Sequence, residues 1–123
     1  MPTDSTPPLR VEISTVGAFP CLRPLGEVDI ASVAALQEAL SAQLDGGQTR
    51  LVMDFGGLSY LDSTGLGCIT AARRRARDAG GDLVLVCTQS RILRLLSITG
   101  LNQVFTICKT TAAAEAALGG AKA

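Results

Sequence analysis

The chain has 123 residues, enough for one domain, and its 47% hydrophobic but only 3% aromatic content predicts a core of aliphatic side chains. The 11 basic and 11 acidic residues give a formal net charge of zero, which disfavours nucleic acid or a membrane and favours a protein partner. Histidine is absent, so the commonest general base and metal ligand are missing, and we expect neither an enzyme, nor a metal, nor another cofactor.

The cysteines and the start of the chain bear on its location. None of the cysteines lies in a C-x-x-C pair, so we expect reduced thiols used as small hydrophobic residues: Cys21, Cys68, Cys87 and Cys108. No apolar run approaches the roughly 18 residues of a membrane span. The polar, proline-rich residues 1–9 are unlike a signal peptide and are predicted to be a disordered tail before one domain, residues 10–119. We therefore expect a cytoplasmic protein.

The first predicted elements are two short strands, residues 11–15 and 18–25, which form a hairpin with its turn at Gly17. Pro20 and Pro24 cannot donate hydrogen bonds to a strand ladder. The second strand is therefore expected to lie partly at an edge or to be irregular.

Helices and strands alternate along the rest of the chain. After a loop at residues 26–29, Asp29 or Ser32 could cap a first helix. The remaining predictions are that helix to about residue 44, a strand at 50–55, a helix at 63–79, a strand at 83–87, a helix from 90 to before Gly100, a strand at 104–107 and a helix at 111–118. This order predicts an α/β domain with a mixed, mostly parallel sheet of four to five strands, an antiparallel strand at its start and helices packed on it.

A small hydroxyl residue stands at the predicted start of the second helix. Asp62 and Ser63 are both favoured at helix N-caps, and a plain cap would explain them. Gly65 and Gly67 are not needed for a cap, and each glycine inside a helix costs roughly 0.5–1 kcal/mol relative to alanine. They indicate a close approach to the backbone, by a neighbouring strand or by a partner protein. Because backbone N–H groups and the positive end of the helix dipole surround Ser63, it is a candidate phosphorylation switch.

Three segments together resemble the STAS domain family, and more narrowly the bacterial anti-sigma factor antagonists. They are residues 60–67 (YLDSTGLG), residues 26–29 (GEVD) and residues 99–105 (TGLNQVF). The segments follow the family's order, and the resemblance covers about residues 11–118. Arg23 and Pro24 depart from the apolar strand that is usual in the family.

The resemblance implies a partner-switching protein in which the serine matching Ser63 is phosphorylated. The kinase is itself the anti-sigma factor: it binds the unmodified antagonist, releases the sigma factor and does not bind the phosphorylated form. A metal-dependent serine phosphatase resets the cycle. Thr64 offers a second hydroxyl, although position favours Ser63. The implied partner-binding residues are Gly26, Asp29, Asp62, Ser63, Thr64 and Gly65.

Two alternatives remain open from the sequence. STAS domains also serve as regulatory subunits of membrane transport complexes or bind small ligands, and Ser63 would then be an unmodified docking residue. The arginines of residues 73–77 could bind nucleic acid or a phosphoprotein, but such a run is more often a solvated outer face.

Overall fold

A computed structural model describes residues 9–119, and it contains six strands and four α-helices. The predicted disordered tail lies outside the described residues except for Leu9. The strands are β1 (Arg10–Val16), β2 (Phe19–Val28), β3 (Arg50–Asp54), β4 (Leu58–Leu61), β5 (Asp82–Val86) and β6 (Ile107–Cys108). The helices are α1 (Val33–Asp45), α2 (Ser63–Asp78), α3 (Ser90–Ile98) and α4 (Thr111–Ala117).

The strands form one sheet in the order β1-β2-β3-β5-β6, with β4 paired to the remaining part of β2. β1 and β2 are antiparallel, and the other pairs are parallel. This confirms the predicted α/β class with its opening hairpin, but the sheet has six strands rather than four to five. The additional strand is β4, whose four residues have no alternating pattern, since Leu58 and Leu61 are buried and the two residues between them are exposed.

β2 is central in the strand order, but it has neighbours on both sides only at residues 21–22 and 26–28. At Pro20 and Pro24 it pairs with β1 alone, so β2 lies partly at an edge, as predicted. Its irregularity is confirmed: β2 pairs with β3 at Cys21 and Leu22, and then with β4 from Gly26, where the register shifts. Pro24 lies between these two ladders and Pro20 lies before the first, so neither proline interrupts a parallel ladder. The predicted loop at residues 26–29 is wrong, since β2 continues to Val28.

Two apolar clusters lie on opposite faces of the sheet. The larger one packs Leu51 and Met53 of β3 against α1, α2 and α3, and the smaller one packs Val52 against Ala114 of α4. Successive residues of β3 therefore point to opposite buried faces, as its continuous apolar run predicts. All four cysteines are free thiols, and Cys21 and Cys87 are buried within these clusters.

The arginine run of α2 is only partly solvated. Arg73 and Arg77 lie 3.3 and 3.6 Å from the Asp82 carboxylate, and Arg75 lies 2.8 Å from Asp45. The prediction of a solvated face is wrong for Arg73, whose side chain is only 21% exposed and whose guanidinium lies 5.7 Å from the Phe105 ring.

The last strand is shorter than the predicted 104–107. A 3-10 turn occupies Leu101–Gln103, Val104 is exposed, and β6 contains only Ile107 and Cys108. No helix among residues 9–119 is both long enough and apolar enough to cross a membrane.

Candidate functional site

The candidate site lies at the sheet edge where β2 and β4 end side by side. Val28 pairs with Leu61 in the last rung of this parallel ladder, and the Asp62 N–H donates to the Val28 carbonyl at 3.3 Å. Neighbouring strands lie about 4.8 Å apart. The chain therefore leaves the sheet at Asp29 and at Asp62 as two adjacent segments, which brings these two predicted site residues to one edge.

Asp62 caps the N-terminus of α2, and Ser63, the next residue, lies on the surface. Its backbone is extended, and its Oδ1 accepts a hydrogen bond from the Gly65 N–H at 3.1 Å. Ser63 is the first helical residue and is exposed, whereas Thr64 is half-buried. Of the two neighbouring hydroxyl residues, Ser63 is therefore the more accessible to another protein.

The two glycines of this segment have different surroundings. A Cβ added to the buried Gly65 would lie 2.5 Å from Leu61 Cδ1 and 2.7 Å from Val28 Cγ1, so any larger residue here would displace these strand side chains. A Cβ added to Gly67 meets no atom of the described chain within 4 Å. The close approach of a strand is confirmed for Gly65, and no described residue accounts for Gly67.

The Asp29 loop holds itself in shape through its own hydrogen bonds. Asp29 Oδ1 accepts from the N–H groups of Ala31 at 3.0 Å and Ser32 at 3.1 Å, while the Ser32 hydroxyl donates to the Glu27 carbonyl at 2.8 Å. Ser32 is the N-cap of α1 by position, although its side chain makes no capping hydrogen bond. The loop presents Ile30, which is 81% exposed.

Gly26 is not brought to this edge. It pairs with Leu58, three residues before Leu61, at the register shift of β2. Its φ of 111° lies in the left-handed region that favours glycine. Gly26 therefore shapes the strand below the edge, and its role in partner binding stays a prediction.

Ser63 borders two surface grooves. The first, which we call the α2 groove, has a volume of about 610 Å³ and runs past Gly67 and Arg74 to Leu101. The second, the α3 groove, has a volume of about 450 Å³ and lies between Ser63 and α3. Its lining includes Tyr60, Asp62, Arg91, Arg94, Leu95 and Ile98.

Sequence reasoning missed the α3 groove and its arginines. The available signal was α3 itself, which carries two arginines, no acidic residue and an apolar residue, Ile98, that is 74% exposed. Only the folded structure places these side chains and Ser63 on the walls of one groove.

The acidic and thiol side chains within residues 9–119 do not cluster into a metal site. No group of three or more histidine, cysteine or acidic residues within residues 9–119 could hold a metal ion. Burial raises the pKa of all four cysteine thiols, so the uncharged form is favoured.

The sheet edge at the ends of β2 and β4 offers an exposed hydroxyl, an exposed isoleucine and two grooves. This is a surface suited to binding.

Comparison with known proteins identifies the class to which this fold and surface belong. The sequence model of the STAS domain matches residues 10–114, and the chain therefore belongs to the STAS domain family. A relative from Bordetella bronchiseptica, provisionally named the anti-sigma factor antagonist BtrV, is 33% identical over 79% of this chain and 82% of its own length.

Solved structures share the fold. An anti-sigma factor antagonist from Mycobacterium paratuberculosis superposes with a TM-score of 0.82 at 22% identity, covering 89% of this chain and 93% of its own. The Bacillus cell fate determinant SpoIIAA, solved in its phosphorylated form, superposes with a TM-score of 0.66 at 21% identity, covering 89% and 98%.

Proposed function

We propose that this protein is an anti-sigma factor antagonist that phosphorylation of Ser63 switches off. The unphosphorylated form binds an anti-sigma factor that is a serine-protein kinase, and the sigma factor is released. Phosphorylation by that kinase ends the binding, and a serine phosphatase restores it. The observation that carries this proposal is the exposed Ser63 at the first position of α2, between two grooves.

The relatives support both parts of the proposal. The Bordetella relative is named for antagonism of an anti-sigma factor, and SpoIIAA is a protein of the same fold that has been solved with phosphate attached. In this chain the exposure of Ser63, against the half-buried Thr64, favours Ser63 as the modified residue.

The charge of a phosphate is sufficient to prevent docking while leaving the domain folded. A phosphoserine adds about −1.5 to −2 charges at pH 7. On the free domain the N-terminus of α2 offsets the added charge by about 0.3–1 kcal/mol. In a docked complex the phosphate lies beside Asp62 and loses water, which costs several kcal/mol if the partner offers no cation. Since about 1.4 kcal/mol is tenfold in affinity, we expect a loss of a hundredfold or more.

The surroundings of Ser63 support docking of a protein. Ile30 and Ile98 are 81% and 74% exposed, and Gly67 leaves the backbone of α2 open beside the α2 groove. Gly26 and Asp29 shape the adjoining segment. The function is one of binding: ATP belongs to the partner kinase, and the proposed location is the cytoplasm, where bacterial transcription takes place.

The experiment uses Ser63→Ala protein as bait in lysate of the source cells, followed by titration of the captured kinase with purified variants. We expect the native protein and Ser63→Ala to bind alike, and Ser63→Asp to bind at least a hundredfold more weakly. Thr64→Ala is the matched control, and it should still accept phosphate at Ser63 when incubated with the kinase and ATP.

Equal affinity of Ser63→Ala and Ser63→Asp would contradict the proposed switch. Phosphate found on Thr64 of the native protein would move the modification to the neighbouring residue. Capture of a transporter component in place of a kinase would favour the alternative role of STAS domains in membrane transport complexes.

A further inference from the structure

Two arginines of α3 face the groove that Ser63 borders. Arg91 and Arg94 are three residues apart, a spacing that places them on one face of the helix. Both are exposed, and both line the α3 groove together with Ser63. The modification site and two flexible cationic side chains therefore share one cavity.

These arginines have no carboxylate partner within residues 9–119. The ion pairs of this part of the chain involve Arg23, Arg73, Arg75 and Arg77. Since α3 itself contains no acidic residue, no Asp or Glu of that helix neutralises Arg91 or Arg94. The pair is thus available to an anion that enters the groove.

We propose that Arg91 and Arg94 bind the phosphate of phosphorylated Ser63 within the free domain, across the α3 groove. The inference rests on the proposed phosphorylation of Ser63. Guanidinium groups are suited to this role because their planar donors match phosphate oxygens. The ligand is the chain's own phosphomonoester, and the two arginines hold it over the groove.

The other charged groups around the phosphate set the sign of the effect. Asp62 lines the same groove and opposes the phosphate, but its Oδ1 is engaged with the Gly65 N–H. Tyr60 also lines the groove, and its hydroxyl can donate a hydrogen bond to an anion. Arg74 and Arg75 line the α2 groove on the other side of Ser63, and Arg75 is paired with Asp45. Arg74 therefore provides the matched control.

Binding of the phosphate by α3 would also change the shape of the docking surface. The phosphate would lie over the apolar lining formed by Ile92, Leu95 and Ile98. A partner that docks on this lining would then be excluded by occupation of the groove in addition to repulsion by charge.

The test places phosphoserine at position 63 during protein synthesis, so no kinase is required. Phosphorus NMR then follows the second ionisation of the phosphate in the otherwise native chain, in the double variant Arg91→Gln and Arg94→Gln, and in Arg74→Gln. Adjacent guanidinium groups favour the dianion of the phosphate. We therefore expect the midpoint of the phosphate titration in the double variant to lie about half a pH unit or more above that of the native chain. The difference should shrink at high salt, because the groups are exposed.

The Arg74→Gln control should titrate like the native chain, and circular dichroism should show all three proteins folded. An unchanged midpoint in the double variant would overturn the inference, and so would an equal shift in Arg74→Gln, which would place the phosphate in the α2 groove. These results do not depend on a kinase. Failure of the proposed function would instead appear as a lack of phosphorylation or of switching at Ser63.

Discussion

Gly65 and Gly67 lie two residues apart in α2, yet substitution by alanine should change stability in opposite directions. Gly67→Ala adds a methyl group that meets no described atom within 4 Å. Alanine is favoured over glycine in a helix by about 1 kcal/mol. We therefore expect Gly67→Ala to raise the free energy of unfolding by about 0.5–1 kcal/mol.

Gly65→Ala gains the same helix preference but adds a methyl group to a filled space. The new Cβ would lie 2.5 Å from Leu61 Cδ1 and 2.7 Å from Val28 Cγ1. Val28 and Leu61 are 0% and 6% exposed, so neither side chain can move into solvent. Overpacking of this kind costs about 1–3 kcal/mol, and the helix preference offsets about 1 kcal/mol of that cost, so we expect a net loss of up to about 2 kcal/mol.

Urea unfolding followed by far-ultraviolet circular dichroism measures the difference between the two variants. The midpoints should lie on opposite sides of that of the native chain at an unchanged slope, and the two free energies of unfolding should differ by up to about 3 kcal/mol. If Gly67→Ala destabilised the protein as much as Gly65→Ala, open space at Gly67 would be refuted. A Gly65→Ala protein as stable as the native one would show that the Val28 and Leu61 side chains can give way.

Two further predictions concern the helix cap and the buried thiols. Asp62→Ala should lower the free energy of unfolding by about 1 kcal/mol in the same urea assay, because the Gly65 N–H loses its acceptor. Asp62→Asn should retain most of the stability. Equal losses of stability in the two variants would argue against a capping role. Because burial raises the pKa of Cys21 and Cys87, these thiols should react more slowly with a disulfide reagent at neutral pH in the native protein than in urea. Because the pKa of these thiols is raised in the folded protein, their contribution to stability is complete at neutral pH and is lost as the pH rises through that folded-state pKa. A gain of stability on titration to alkaline pH would contradict this.

Much of the architecture could be predicted because local patterns determine it. The continuous apolar runs of β3 and β5 require cover on both faces, and the structure places α1, α2 and α3 on one face and α4 on the other. The helix periodicities likewise place the start of α2 at Ser63 and the start of α3 at Ser90. The exposed hydroxyl at the start of α2 follows from the same local pattern.

Predictions that depend on a neighbouring strand were less accurate. Pro20 and Pro24 predict a strand that lies partly at an edge or is irregular, but they do not predict that β2 is central, with two parallel partners that avoid both prolines. β4 was not predicted, since four residues without alternation become a strand only when the end of β2 supplies their hydrogen bonds.

The class of domain, the order of most elements and the position of Ser63 at a helix start all follow from local sequence patterns. Each of these depends on side-chain periodicity or capping within one stretch of chain. The different surroundings of Gly65 and Gly67 are visible only in the folded structure. The same holds for the groove that Arg91 and Arg94 share with Ser63. These relations join residues distant in sequence, and they exist only after folding has brought β4, the start of α2 and α3 around one groove.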